Sequence, residues 1–180
     1  HVTRERGRLS ARSLEGQLSA AFGAEGMVVQ SDAGTGGTLR AVSLRCGDTR
    51  VSVGHRPFAP GAAANRVERR VGGGAIEALE WVESGPLGLE QGFDVSEPQV
   101  GCDTLRVELE VQGLAVELEG DAVRLVGSEG ALRYAQLYAL DARGEALPSH
   151  FAVGEGRVEL WVETRGVMWP LVVNPVIYTE

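Results

Sequence analysis

Two cysteines are the residues whose type and spacing most directly suggest chemistry. Cys46 and Cys102 stand in similar settings, C-G-D-T-R-V and C-D-T-L-R-V, and each precedes a strand-like run. A disulfide between them would close a loop of roughly 57 residues and add about 4 kcal/mol of stability. The alternative is a pair of buried free thiols. Since no C-x-x-C spacing or adjacent histidine supports a metal site, we predict the disulfide and an oxidising compartment.

Clustered carboxylates are a second source of chemistry. One group comprises Glu108, Glu110, Glu117, Glu119 and Asp121, and another comprises Glu77, Glu80 and Glu83. A glycosidase pair or a calcium site would draw on such groups, but no D-x-D-x-D-G loop occurs. Alternation places the four glutamates between 108 and 119 on the solvent faces of strands, where charge discourages edge pairing. We therefore predict a solvated surface.

Aromatic side chains offer a third possibility, a platform on which sugars stack. The candidates are Trp81, Trp161 and Trp169, together with Tyr134, Tyr138 and Phe93. Packing within the core or between sheets is the usual role of such residues, and we expect it for this set.

Other motifs fail the requirements of the sites they suggest. Gly34–Thr38 lacks the lysine and following helix of a phosphate-binding loop, so we predict a mobile hairpin loop. Gly127–Gly130 lacks the nucleophile-elbow spacing and is predicted to be a turn. Neither His55 nor His150 has a carboxylate or second histidine at ligand spacing, which favours structural roles. We assign no catalytic residue, no metal ligand and no cofactor, and the ligand-binding residues remain unknown.

Composition restricts the partners. The 180 residues suffice for one domain or two small ones. A formal net charge of −8 argues against nucleic acid, because a domain that binds it carries a clustered basic face. All 17 residues counted as Lys or Arg are arginines, a bias that we attribute to a GC-rich bacterial genome.

Neither end of the sequence resembles a natural terminus. The chain opens at His1 without a methionine or a hydrophobic signal stretch, and it stops at Glu180 directly after an apolar run. We expect both ends to have been cut from a longer precursor, so the missing signal peptide does not bear on secretion. No apolar run approaches the roughly 18 residues of a membrane-spanning helix.

Alternation of apolar and polar residues with period two dominates the chain and predicts an all-β fold. Leu105–Val111 is the clearest example. Further strand pairs flank turn sequences: Leu39–Leu44 with Arg50–Val53, Val67–Val71 with Ile76–Val82, and Arg157–Glu163 with Val167–Val173. A glycine-containing turn, Asp141–Glu145, follows Leu132–Ala139. We predict an antiparallel β-sandwich or open barrel, in which one face of each sheet is exposed to solvent and the other is buried.

Two regions leave the organisation open. Leu14–Phe22 permits a helix, but Gly16 and Gly23 would each weaken it by about 1 kcal/mol, so strand–turn–strand is preferred. Glu97-Pro98 marks a candidate boundary, because proline does not serve a central strand. The chain would then comprise β subdomains 1–97 and 98–180, or one continuous domain, 1–180.

Three segments, in order, resemble motifs of large secreted proteins of myxobacteria and related bacteria. Trp81–Phe93 reads W-V-E-S-G-P-L-G-L-E-Q-G-F, similar to the family's W-(Y/F)-x-N-G-P-x-G-L-E-Q-G-F. Leu132–Pro148 resembles L-R-Y-x-x-L-x-A-x-D-A-x-G-x-x-L-P, and Trp169–Pro175 resembles Y-P-L-x-I-D-P. The earlier residues match the family in strand pattern alone.

The resemblance implies a β-rich N-terminal leader domain, followed by integrin-α-type FG-GAP β-propeller repeats or other extracellular repeats. It implies an extracellular or cell-surface location and an adhesion-like or scaffold role, and it supplies no catalytic residue. Two positions depart from the family pattern. Trp169 stands where the family motif has a tyrosine, and Asn174 stands where it has an acid. If that acid is a ligand in the family, this chain has lost it, whereas a turn-forming role is preserved, since Asn and Asp both suit a turn.

These observations leave three candidate functions. The first is a non-catalytic structural or interaction domain of a bacterial extracellular repeat protein, with a protein or surface glycan as partner. The second is a carbohydrate-binding module that uses Trp81 and Trp161. The third is a hydrolase with paired carboxylates about 5–9 Å apart in a concave pocket. We prefer the first.

Overall fold

A computed structural model describes residues 1–15 and 17–180, and their regular elements are all β-strands. The first ten are β1 (Val2–Glu5), β2 (Arg8–Arg12), β3 (Leu18–Gly23), β4 (Gly26–Ser31), β5 (Gly36–Cys46), β6 (Thr49–Ser52), β7 (Ala59–Pro60), β8 (Arg66–Gly73), β9 (Ile76–Ser84) and β10 (Leu89–Val95). The others are β11 (Thr104–Gln112), β12 (Ala115–Glu119), β13 (Ala122–Gly127), β14 (Gly130–Leu140), β15 (Ser149–Gly154), β16 (Arg157–Glu163) and β17 (Leu171–Thr179). Within this part of the chain, no helix has the length and apolar character needed to cross a membrane.

The strands form two antiparallel sheets. The first sheet has the order β1-β2-β3-β4-β5-β11-β16-β15, with β6 also paired to β5. The second sheet has the order β12-β13-β14-β17-β10-β9-β8-β7. The sheets do not close into a barrel, and the predicted antiparallel β-sandwich is confirmed.

Period-two alternation explains how the sheets acquire a common core. In β11, Leu105, Val107 and Leu109 are fully buried, whereas Arg106 between them is partly exposed. Neighbouring strands repeat the pattern, so apolar side chains from both sheets meet between the layers. One hydrophobic cluster extends along the chain from Leu9 to Ile177.

Most of the predicted hairpins form. β5 pairs with β6 and β8 pairs with β9, in agreement with the sequence pattern. The strand predicted over Val167–Val173 is wrong in its first four residues, because β17 begins at Leu171 and belongs to the other sheet from β16. Residues 167–170 instead carry the chain between sheets, and Pro170 has no N–H with which to join a ladder.

The N-terminal region follows the strand–turn–strand prediction. β3 and β4 form a hairpin in which Leu18 is opposite Ser31 and Gly23 is opposite Gly26. Gly16, which was part of the argument against a helix, lies outside the described residues.

The Glu97-Pro98 link connects β10 of the second sheet to β11 of the first. Strands from both sides of this link share each sheet: β11 pairs with β5, and β17 pairs with β10. The link therefore crosses between layers and does not separate two independent sets of strands.

A disulfide joins Cys46 and Cys102, which are 56 residues apart in sequence. Cys46 is the last residue of β5 and lies opposite Leu105 of β11, and Cys102 lies just before β11 begins. The bond therefore ties the entry of β11 to its neighbouring strand and closes the loop that contains β6 to β10.

We expect the double substitution Cys46→Ser with Cys102→Ser to lower the free energy of unfolding by about 3–4 kcal/mol, because the unfolded chain regains the entropy of the open loop. Urea denaturation of the two proteins measures this difference. Reductant should destabilise the wild type and leave the double variant unchanged. Equal denaturation midpoints for oxidised and reduced wild type would contradict the prediction.

Candidate functional site

The three motif-bearing segments become neighbouring strands of the second sheet. Trp81–Phe93 spans the second half of β9, a turn, and most of β10. Leu132–Pro148 contains most of β14, and Trp169–Pro175 leads into β17, which lies between β14 and β10. Residues separated by as many as 84 positions in sequence, such as Glu90 and Asn174, are thus placed side by side, and the side chains of the segments contact one another on both faces of this sheet.

On the inner face, a hydrogen-bonded chain of polar side chains crosses the core. Arg69 Nε donates to Glu80 Oε2 at 2.6 Å, and Gln91 Nε2 donates to Glu80 Oε1 at 2.9 Å. The Tyr134 hydroxyl donates to Gln91 Oε1 at 2.6 Å. All four residues are almost completely buried. We call this set the core polar chain; it connects β8, β9, β10 and β14.

The core polar chain also holds the loop before β7 in place. Arg69 Nη1 donates to the carbonyl oxygens of Arg56 and Ala24, and the Arg69 guanidinium lies 4.5 Å from the centre of the Phe58 ring. Burial, and then the nearby Glu80 carboxylate, raise the pKa of the Tyr134 phenol well above its ordinary value. Tyr134 therefore stays protonated and acts as a hydrogen-bond donor.

On the outer face, Trp81 lies over a strand position that has no side chain. Its indole rests against Gly92 of β10, where any Cβ would overlap the ring. The indole N–H donates to Asp94 at 2.9 Å, and the Arg66 guanidinium lies 4.5 Å from the ring centre. Because these contacts leave Trp81 only 6% exposed, the ring is not open to a stacking ligand.

Asn174 forms the second outer contact between the motifs. Its amide donates to Glu90 Oε2 at 3.2 Å and to the Tyr138 hydroxyl at 2.8 Å. The prediction of a turn-forming role is wrong, because Asn174 lies within β17 and is almost fully buried. The amide can donate here, whereas an ionised carboxylate cannot.

Asp141 organises the turn after β14, as the glycine-containing sequence predicts. Its enclosed carboxylate accepts hydrogen bonds from the backbone N–H groups of Arg143, Glu145 and Met168 and from the Arg143 guanidinium. Burial raises the pKa of Asp141, but these hydrogen bonds outweigh it and lower the pKa to about 2. Gly144 has φ +78°, which closes the turn without strain. The Met168 contact attaches this turn to the segment that leads to β17.

The solvent-face prediction for the glutamates holds for Glu117 and Glu119, and Glu110 is partly exposed. It is wrong for Glu108, which is 8% exposed. Glu108 does point to the outer face of the first sheet, but long arginine side chains from β5, β6 and β16 surround it. Their nitrogen atoms lie 3.6–3.8 Å from its oxygens.

The other aromatic candidates divide between core and surface. Phe93 and Tyr134 are completely buried, as predicted, and Trp169 packs partly against the core. Tyr138 is 44% exposed and holds Asn174. Trp161 lies on the outer face of the first sheet, and the strands on both sides of β16 each place a side chain against its ring.

These neighbours are His150 of β15 and Arg106 of β11. The His150 ring is stacked with the Trp161 ring at 5.5 Å between centres, and the Arg106 guanidinium lies 3.9 Å from the same ring. The Trp161 N–H donates to Glu159 at 2.7 Å. Trp161 therefore participates in a side-chain stack of the protein itself.

Sequence reasoning missed a row of arginines that continues this stack. Arg45 is directly opposite Arg50 of β6 on one side and Arg106 of β11 on the other. Arg106 is in turn opposite Trp161, and Trp161 is opposite His150. We call Arg50, Arg45 and Arg106 the arginine row. Arg45 and Arg50 face each other across the predicted β5–β6 hairpin, whereas Arg106 is distant in the sequence and only the β5–β11 register brings it beside them.

The glycine-rich segments lie at hairpin turns. The hairpin loop predicted over Gly34–Thr38 is wrong in its last three residues, because β5 begins at Gly36. The N–H of Thr35, just before β5, donates to Ser31 Oγ at 3.1 Å. Gly127–Gly130 forms the turn between β13 and β14. In residues 1–15 and 17–180, no three His, Cys, Asp or Glu side chains are grouped so that they could hold a metal ion.

Comparisons with protein-family models, with curated proteins and with solved structures find no match to this chain. Function must therefore be argued from the side-chain contacts described above.

We expect Glu80→Gln to lower the free energy of unfolding by about 3–5 kcal/mol, because it leaves the Arg69 guanidinium buried without a counter-charge. Denaturation monitored by tryptophan fluorescence would measure the loss. The matched control is Glu77→Gln, an exposed position on the same strand, where a change within about 0.5 kcal/mol is expected. Similar effects at the two positions would contradict a special role for the buried pair.

The depressed pKa of Asp141 predicts a pH dependence of stability. Its folded pKa is about 2, below an unfolded value of about 3.9. The carboxylate therefore stabilises the fold fully above about pH 4, and this contribution is lost as the pH falls through about 2. The stability difference between wild type and Asp141→Asn should be largest above pH 4 and should narrow towards pH 2, as followed by urea denaturation.

Asp121→Asn provides the control, because Asp121 is exposed in the turn before β13. Its difference from the wild type should stay small across the same pH range. A constant difference for Asp141→Asn between pH 2 and 6 would show that the carboxylate charge does not stabilise this turn.

Proposed function

We propose that this chain is a non-catalytic structural or interaction domain of a bacterial extracellular or cell-surface repeat protein, with an adhesion-like or scaffold role. The observation that carries the proposal is the mutual contact of the motif residues. Gln91 binds Tyr134 inside the sandwich, and Glu90 binds Asn174 outside it. These polar groups bind one another across three motif segments, as expected of residues that maintain a fold, although Asn174 Oδ1 has no hydrogen-bond partner within the described residues.

The disulfide supports the proposed location. Bonds such as Cys46–Cys102 form and persist in oxidising environments and are rare in a reducing cytosol. A domain that works outside the cell also gains from a covalent link between β11 and the end of β5, because it must stay folded without chaperones.

The carboxylates whose pKa values are shifted do not have the property of a glycosidase acid. A glycosidase acid needs a raised pKa in order to deliver a proton near neutral pH. Glu110 has a lowered pKa because Gln112 and Arg40 donate hydrogen bonds to it, and Arg124 lowers the pKa of Glu180 in the same way. The pKa of Asp141 is also lowered, and its carboxylate accepts hydrogen bonds from four donor groups.

The alternative of a carbohydrate-binding module that stacks sugars on tryptophan has less support. Sugar stacking needs an open aromatic face, whereas Trp81 is covered by Gly92 and Arg66. Trp161 is flanked by Arg106 and His150. Recognition of a carbohydrate through charged groups does not need an open aromatic face.

The proposal predicts what accompanies the domain in its parent protein. The reading frame beyond Glu180 should encode FG-GAP-type or other extracellular repeats, and protease applied to intact cells should remove the domain from the surface. Sequencing the flanking frame and immunoblotting shaved cells test both points. A cytosolic location with an unrelated enzyme domain next in the frame would contradict the proposal.

A further inference from the structure

We propose that the arginine row is a binding site for an acidic polysaccharide, a linear glycan that carries carboxylate or sulfate groups. The inference rests on the proposed extracellular role, and it adds a ligand class and a surface. Arg50, Arg45 and Arg106 occupy adjacent strands in direct register. Like charges placed opposite each other destabilise a sheet, so this arrangement opposes folding unless an anion compensates for it.

The protein supplies part of that compensation. The Glu108 carboxylate lies 3.6 Å from Arg45 and Arg50 and 3.8 Å from Arg157. These distances are longer than hydrogen bonds, and one carboxylate serves three guanidinium groups. Glu159, opposite Glu108 on β16, accepts a hydrogen bond from the Trp161 indole. On this face of the first sheet, five arginines lie among four glutamates, so the area keeps a small positive charge on a protein whose net charge is −8. The arginines are Arg40, Arg45, Arg50, Arg106 and Arg157, and the glutamates are Glu108, Glu110, Glu159 and Glu163.

Two enclosed polar atoms near the arginine row lack hydrogen-bond partners. Within the described residues, Arg45 Nε and Ser43 Oγ are enclosed and have no hydrogen-bond partner. Ser43 is completely buried and lies opposite Glu108 in the β5–β11 ladder. Three further atoms of this kind, Arg69 Nη2, Ser84 Oγ and Asn174 Oδ1, belong to the second sheet. What distinguishes the pair near Glu108 is the excess of arginine side chains beside it.

The arginines are accessible and partly ordered. The side chains of Arg45, Arg50 and Arg157 are 32%, 41% and 46% exposed, so a ligand can reach them. Arg106 is held against the Trp161 ring, which reduces the entropy that it would lose on binding. A guanidinium group presents paired N–H donors that match the geometry of a carboxylate or sulfate.

The shape of the site favours a polymer over a small anion. The arginine row, Trp161 and His150 lie on five successive strands, which span about 19 Å at the usual strand spacing. Positive groups spread along such a line match a chain with a charge on each repeating unit. The stacked Trp161 ring holds Arg106 in place, and the arginines bind the charged groups of the polymer.

The test measures binding of the full chain to polygalacturonate, heparin and neutral dextran by isothermal titration calorimetry. Polygalacturonate, heparin or both should bind, more weakly as salt rises from about 0.05 M to about 0.5 M, and dextran should not bind. Arg45→Gln with Arg106→Gln should weaken binding by at least about tenfold, since two charge-assisted contacts are lost. The matched control, Arg70→Gln with Arg165→Gln, removes the same charge from exposed positions elsewhere and should bind as the wild type does.

Several outcomes would overturn the inference. These are no binding to either acidic polysaccharide at low salt, an equal loss in the control variant, and stronger binding to poly-glutamate or single-stranded DNA than to the glycans. Salt-sensitive self-association without polymer would assign the row to a second copy of the chain. If the double variant of the arginine row fails to fold, the NMR signal of the Trp161 indole N–H is followed in the wild type instead. Added polymer should shift this signal, and an unshifted signal would contradict the site.

The same samples separate this inference from the proposed function. Release of new reducing ends from a bound polymer would contradict the non-catalytic proposal while leaving the binding site in place. Failure to bind any glycan would remove the arginine-row site and leave the repeat-protein proposal to its own test.

Discussion

The ion pair between Arg69 and Glu80 is the contact on which the arrangement of the second sheet depends. A charged pair buried between two sheets needs hydrogen-bond partners for its remaining groups, and here most of those partners come from distant parts of the chain. Gln91 of β10 donates to Glu80, and Tyr134 of β14 donates to Gln91. The carbonyl oxygens of Ala24 and Arg56 accept from Arg69 Nη1, whereas Arg69 Nη2 has no partner within the described residues. A shift of any of these strands by one residue would turn its polar member out of the core and leave the others unpaired.

This constraint explains why the motif residues look functional in the sequence and act structurally in the fold. Motifs rich in Trp, Glu, Gln and Tyr suggest a ligand site, yet in the sandwich they bind each other across β9, β10, β17 and β14. With the second sheet occupied by its own contacts, we assign the proposed partner to the excess positive charge of the first sheet. In this proposal, the second sheet maintains the fold and the first sheet presents the binding surface.

The sequence was sufficient for the fold class and much of the local structure, because period-two alternation and glycine turns act over a few residues. Leu105–Val111, the β8–β9 hairpin and the Asp141 turn follow from such short-range rules. The disulfide also followed, from two similar cysteine settings. What could not be read was the set of contacts made by register between distant strands. Glu108 alternates as a surface residue and is covered by arginines from three other strands, and the arginine row exists only after β6, β5 and β11 are aligned.

The central claim, that the motif residues hold one another, is tested most directly by a double-mutant cycle on Gln91 and Tyr134. The variants are Gln91→Met, Tyr134→Phe and both together, with free energies of unfolding from urea denaturation. Because the two side chains share a buried hydrogen bond of 2.6 Å, the account predicts a coupling energy of about 1–2 kcal/mol. Strictly additive effects, with no coupling beyond experimental error, would contradict it, because the two side chains would then not hold one another.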